Sequence, residues 1–181
     1  MELAGATVIE TDRLVLRPLG VADVDALHEL MLVEPVRRYL CDGELLPRAV
    51  VEGWRIASDA LFQRVGVGLW CVRERGAAPL VGLTGYAEFF EPPVLELLFA
   101  LAPSRWGRGY AVEMASAAIE QGFTRGGMET IRASTDEPNA ASIRVMERLE
   151  LTPAGEDPGP TWRQLHFELT RARWRARATA S

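Results

Sequence analysis

Apolar positions along the chain change period several times, and each change marks an element. Residues 13–17 alternate, with Leu14 and Leu16 on one face and Pro18 closing the run, which predicts a short strand. From Val21 to Met31 the spacing becomes helical: Val24, Leu27, His28 and Met31 share a stripe, and Asp23 and Asp25 stand where a helix start favours negative charge. A second helix is expected over residues 48–64, after Pro47, with Val51, Trp54, Ile56 and Leu61 as its apolar positions. Three strands follow over 69–75, 80–90 and 94–102, with turn residues between them, the spacing of an antiparallel meander. A long helix over 109–125 carries Ala111, Met114, Ala115, Ala118, Ile119 and Gly122 on one face, Glu113, Glu120 and Thr124 on the other, and stops at Gly126 and Gly127. A strand over 130–135, a helix over 139–149 and a strand over 161–170 complete the pattern. Residues 171–181, rich in Arg and Ala, read as a frayed helix or disordered tail.

Strand, two helices, three strands, helix, strand, helix, strand is the order of an α+β (mixed α/β) fold around one sheet. A length of 181 residues fits one domain, 1–181, with its core at about 11–170.

Composition narrows the function classes. All 20 basic residues are arginines, set against 25 acidic ones, and a net charge of −5 argues against a general nucleic-acid binder. The lack of lysine fits codon bias in a GC-rich bacterial genome and carries no function. Cys41 and Cys71 are too few for a disulfide scaffold and belong to no metal-spaced cluster, so both are expected as buried thiols and no metal is expected. No basic segment leads into an apolar run, and no stretch approaches the ~20 apolar residues of a membrane span. The expectation is a cytoplasmic protein with no membrane partner.

The chemistry concentrates in Arg105-Trp106-Gly107-Arg108-Gly109-Tyr110-Ala111, a glycine turn between a strand and the long helix. Backbone N–H groups converging at a helix N-terminus bind anions, glycine permits close approach, and Arg105 and Arg108 add positive charge. Two glycines at such a junction equally describe a plain tight turn. A dinucleotide site would need three glycines after the first strand, and a Walker loop needs a lysine, so both fail.

With its neighbours the turn becomes specific. Leu95 to Phe123, together with Asn139 to Leu151, resembles the GNAT superfamily of acyl-CoA-dependent N-acetyltransferases, and the opening Thr11-Asp12-Arg13-Leu14-Val15-Leu16-Arg17-Pro18 is similar to the first strand of its Rim-type branch. The resemblance spans most of the chain, from Thr11 to Thr170. It implies a mostly antiparallel twisted sheet of six or seven strands, splayed to admit coenzyme A. It also implies a pyrophosphate held by Trp106, Gly107, Arg108, Gly109, Tyr110 and Ala111, with Trp106 where the family pattern has Gln or Arg. The main chain at Phe99, Ala100 and Leu101 should then pair with the pantetheine arm like an added strand. Acetyl-CoA is the implied co-substrate and an amine, either a protein N-terminus or a small molecule, the implied acceptor; relatives are monomers or homodimers.

An attacking amine with a pKa of about 10.4 needs a base. Glu96 shares a strand face with Leu98 and Ala100, apolar company that raises a carboxyl pKa toward the range of a general base; a solvated or arginine-paired Glu96 is the bland alternative, and the resemblance favours the base. Glu88 is the substitute. Asn139 is first an N-cap, to which the resemblance adds a cofactor contact. Ser142 heads the inward stripe Ser142, Val145, Met146, Leu149 and is assigned to CoA contact or thiolate stabilisation. The family's frequent tyrosine acid corresponds here to Met146, and its Gly-Phe to Glu150-Leu151, so a catalytically impaired CoA-binding sensor or partner-binding module is the competing class. His28, His166, Trp54, Trp70 and Tyr86 read as structural, while Arg37, Arg38 and Tyr39 could face the acceptor.

Overall fold

In the computed structural model, which describes residues 7–178, the strands form two antiparallel sheets rather than the single sheet expected. The first runs in chain order: β1 (Ile9–Glu10), β2 (Leu14–Pro18), β3 (Leu69–Glu74), β4 (Leu80–Phe89) and β5 (Val94–Leu101). The second comprises β6 (Thr130–Asp136), β7 (Thr152–Asp157) and β8 (Gln164–Thr170), with β8 between the other two. The helices are α1 (Val24–Leu32), α2 (Glu34–Leu40), α3 (Arg48–Val65), α4 (Tyr110–Thr124), α5 (Ala140–Arg148) and α6 (Arg171–Ala178).

The elements missed by periodicity carry little of it. β1 has two residues. β7, Thr-Pro-Ala-Gly-Glu-Asp, is almost wholly exposed and breaks register between Pro153 and Gly155, so it lacks the alternation of a half-buried strand. α2 buries only Val36. The last strand starts at Gln164, three residues later than expected, and the tail is helical as far as Ala178, with Trp174 stacked on Phe123 at 4.9 Å; residues 179–181 lie outside the described residues.

Alternation in β3 decides which face packs on what. Trp70 and Val72 join Leu14, Leu16, Tyr86, Met114 and Phe123 under α4, while Leu69 and Cys71 join Leu27, Met31, Val51 and Leu83 under α1 and α3. Ile56 is 57% exposed and leaves the expected stripe of α3, whose buried face instead includes Ser58, its hydroxyl oxygen accepting from the Leu69 N–H at 2.8 Å. The small residues of α4 let it approach β4 closely: a Cβ at Gly122 would lie 2.1 Å from the Tyr86 hydroxyl, which itself donates to the Ala118 carbonyl at 3.0 Å. Both cysteines are buried, and burial pushes the Cys41 thiol up to about 11. Among the described residues, no helix is long and apolar enough to cross a membrane.

Candidate active site

No ladder joins β5 to β6, and between them opens a cavity of about 1120 Å³. Its walls come from β5, the glycine turn, the end of β6, α5, the end of α2 and residues 158–160. The Ala102 N–H donates to Val81 and the β4–β5 register is unbroken, so Leu98 and Ala100 also turn their main-chain groups to β4. Phe99 and Leu101 turn theirs toward the gap. Of the three residues expected to offer main chain to a ligand, Ala100 therefore offers its side chain alone, and the Leu101 carbonyl already accepts from the Trp106 indole at 2.7 Å.

In the turn, Gly107 and Gly109 hold φ of +73° and +78°, values that a side chain would strain. The N–H groups of residues 107–112 donate to nothing among the described residues, because Gly109 offers α4 no side-chain cap. Trp106, Gly107, Gly109, Tyr110 and Ala111 line the cavity, whereas Arg108 does not; its carbonyl accepts from Arg13 Nη1 at 2.9 Å. Arg105 lines the cavity, but its charge is shared with Glu74, 2.9 Å from Nη2, and its buried Nε has no partner among the described residues. Glu74 also accepts from the Tyr110 hydroxyl at 2.9 Å, and the Arg105 and Tyr110 hydrogen bonds hold its carboxyl below the usual range.

Sequence reasoning missed this bracket around the turn. Arg13 lies over the Tyr110 ring at 4.5 Å and ion-pairs with Glu113 in the first turn of α4. Burial would raise the Glu113 carboxyl, but Thr11 and Arg13 together hold it below its ordinary value. The signal was present in the Thr-Asp-Arg opening, yet its partner lies 100 residues away.

Asn139 caps α5: its Oδ1 accepts from the Ser142 N–H at 3.2 Å and its Nδ2 donates to Thr135 Oγ1 at 3.0 Å. Asn139, Ser142, Val145 and Met146 all line the cavity, and the Ser142 hydroxyl bonds to nothing among the described residues. At the helix end Glu150 adopts φ +63°, the left-handed position that glycine favours, and Leu151 is buried.

Glu96 is 4% exposed and lines the same cavity. Burial raises its pKa, opposed by the Ser134 hydroxyl, which donates to Oε2 at 2.5 Å across the gap from β6, and by His166 and Arg132. Oε1 has no partner among the described residues. Glu88, the substitute candidate, is half-exposed, paired with Arg64, and outside the cavity lining. His28 meets the Leu46 carbonyl at 2.8 Å and His166 meets Asp157 at 3.0 Å, while Trp70 and Tyr86 are fully buried. Arg38 and Tyr39 line the cavity; Arg37 instead holds the Leu32 and Gly43 carbonyls. No group of three metal-binding side chains occurs among the described residues.

A carboxylate of raised pKa, an uncapped helix start and an open strand edge thus meet around one cavity. Residues 13–152 match the model of an acetyltransferase (GNAT) domain. The chain is 28% identical over 145 residues to the uncharacterized N-acetyltransferase YoaA of Bacillus subtilis, covering 78% of this chain and 81% of that one. Among solved structures, an acetyltransferase from Agrobacterium tumefaciens superposes with a TM-score of 0.78 at 25% identity, over 91% of this chain and 95% of the other. RimL, a ribosomal-protein α-N-acetyltransferase solved in complex with coenzyme A, shares the fold with a TM-score of 0.77 at 17% identity, over 92% and 99% of the two chains.

Proposed function

This chain belongs to the acetyltransferase (GNAT) domain family, and from that premise we propose that it transfers an acetyl group from acetyl-CoA to a primary amine by direct attack while both substrates are bound. Glu96 carries this function: a carboxylate 4% exposed, anchored at one oxygen by Ser134 and open at the other, faces the cavity between the two sheets beside an anion-binding turn.

The residues fit the cofactor. The free N–H groups of residues 107–112, with the α4 dipole behind them, suit a pyrophosphate, and the buried unpartnered Nε of Arg105 lacks only an acceptor. Arg144 and Arg148 line the cavity from α5 and add positive charge. Main chain at Phe99 faces the gap and suits an extended amide-bearing arm. RimL, a fold neighbour, was solved with coenzyme A.

Bound acetyl-CoA supplies the thioester: the amine nitrogen bonds to the acetyl carbon as the carbon–sulfur bond breaks, and the sulfur leaves with the electron pair. Glu96 takes the amine proton, directly or through a water, and its raised pKa strengthens it as a base. Ser134 holds the carboxylate in one orientation. Ser142 offers an otherwise free hydroxyl to the leaving sulfur, which needs little help because a thiol pKa is about 8.5. Met146 occupies the position from which a tyrosine would donate a proton and contributes packing only, being 2% exposed.

Thiol release measured over a panel of amines tests the function. Glu96→Gln should lower kcat by about 10²–10⁴ while acetyl-CoA affinity persists. An unchanged kcat would remove Glu96 from the chemistry. Retained CoA binding without acetylation of any amine would support instead a CoA sensor, the reading that Met146 and Glu150 favour.

A further inference from the structure

A cofactor in this cavity meets the chain at two anchor points, and one side chain joins them. One anchor is the turn, with the free N–H groups of residues 107–112; the other is the open edge of β5, where Phe99 and Leu101 face the gap. Trp106 stands between the two. Its main-chain N–H donates to the Pro103 carbonyl at 3.1 Å, which keeps it at the head of the turn, while its indole Nε1–H donates back to the Leu101 carbonyl at 2.7 Å. The ring is 49% exposed, lines the cavity and is part of neither buried apolar cluster. Leaving half of a tryptophan in water forgoes much of what burying it contributes, so packing does not account for its place.

Closing the Leu101 carbonyl also fixes register. Alternate residues along the edge present both N–H and C=O to the gap; with the Leu101 carbonyl taken, Phe99 is the residue nearest the turn that still offers both. An extended amide arm that slipped to Leu101 would move by two residues, about 6.7 Å, and carry its thioester that far from Glu96 on the same strand. A second tie holds the turn from β3: Glu74 accepts from Arg105 and from the Tyr110 hydroxyl, each at 2.9 Å. The turn therefore keeps its shape without the indole, and what the indole adds is a fixed distance from the strand.

Resting on the acetyl-transfer function, we propose that Trp106 is a positioning residue for the cofactor. Its indole N–H locks the pyrophosphate turn to the edge of β5 and closes the Leu101 carbonyl, so an arm held at the turn pairs at Phe99 and brings the thioester to Glu96. Two anchors at a fixed separation cost a ligand that spans them less ordering than two that move independently.

Trp106→Phe keeps a ring at this position and removes the N–H. Titration calorimetry with CoA and with ADP separates the anchors, since ADP carries the pyrophosphate and lacks the arm. In the variant, CoA affinity should fall by about three- to tenfold, ADP affinity should change by less than about twofold, and kcat at saturating acetyl-CoA should fall by about tenfold. An equal loss for both ligands would mean a structural lesion, and an unchanged CoA-to-ADP ratio an idle hydrogen bond; either overturns the proposal. Melting checks the fold of the variant. If it does not fold, the native indole proton decides: its solvent exchange, followed by NMR, should be slow despite the half-exposed ring and slower with CoA bound. Exchange at the rate of free indole would overturn the proposal. A changed ratio without thiol release on any amine would overturn acetyl transfer and leave the lock standing; thiol release with an unchanged ratio would do the reverse.

Discussion

Burial gives Glu96 two opposite pH signatures. In the proposed role of base it works deprotonated, so kcat/KM should rise with pH through a pKa raised from the ordinary carboxylate value, and the rise should vanish in Glu96→Gln. In stability the sign reverses. Folded Glu96 holds its proton more tightly than the unfolded chain does, so its contribution is full below the unfolded pKa of about 4.3 and is lost as pH rises through the folded value. A pH–rate profile without that ionisation would remove the carboxylate as base. The apolar alternation of Leu95 to Leu101 made the raised pKa legible; Ser134, 38 residues away, was not, since nothing local ties the two side chains.

At the scale of elements, α4 depends on small residues for both position and function. Its start is shaped by Gly107 and Gly109 at positive φ, and its last turn lies against Tyr86 only because residue 122 has no side chain. Gly122→Ala should destabilise the protein by about 1–3 kcal/mol despite a better helix propensity, since the Tyr86 hydroxyl is fixed by its bond to Ala118 and cannot retreat freely. Denaturant unfolding measures this; a gain in stability would mean that the sheet yields at little cost. The stripe on α4 was visible from its period, and so was the cap at Asn139. β7 and α2 were not, because their residues are exposed and hydrogen bonding to β8 or a short turn, rather than burial, defines them.

For the whole molecule, the split between sheets is the central fact. Each side of the split offers groups to the same cavity: Phe99 and Glu96 from β5, Ser134 and Asp136 from β6, Asn139 and Ser142 at the start of α5. A cofactor that bridges them binds the folded chain and not the unfolded one, so acetyl-CoA at a hundred times its Kd should add about 2.7 kcal/mol to the unfolding free energy. Denaturant titrations with and without acetyl-CoA measure this, and an absence of stabilisation would leave the turn without its cofactor.

The sequence by itself determined the main strands and helices, the turn and its free donors, the cap of α5 and the apolar setting of Glu96. Each follows from period, glycine φ freedom or capping chemistry, which act over a few residues. Tertiary structure alone decided that the strands divide into two sheets, that Arg13 and Glu74 brace the turn, and that Asp42 and Asp136 share a cavity with Glu96. Those relations join residues tens of positions apart, and only packing of the elements brings them together.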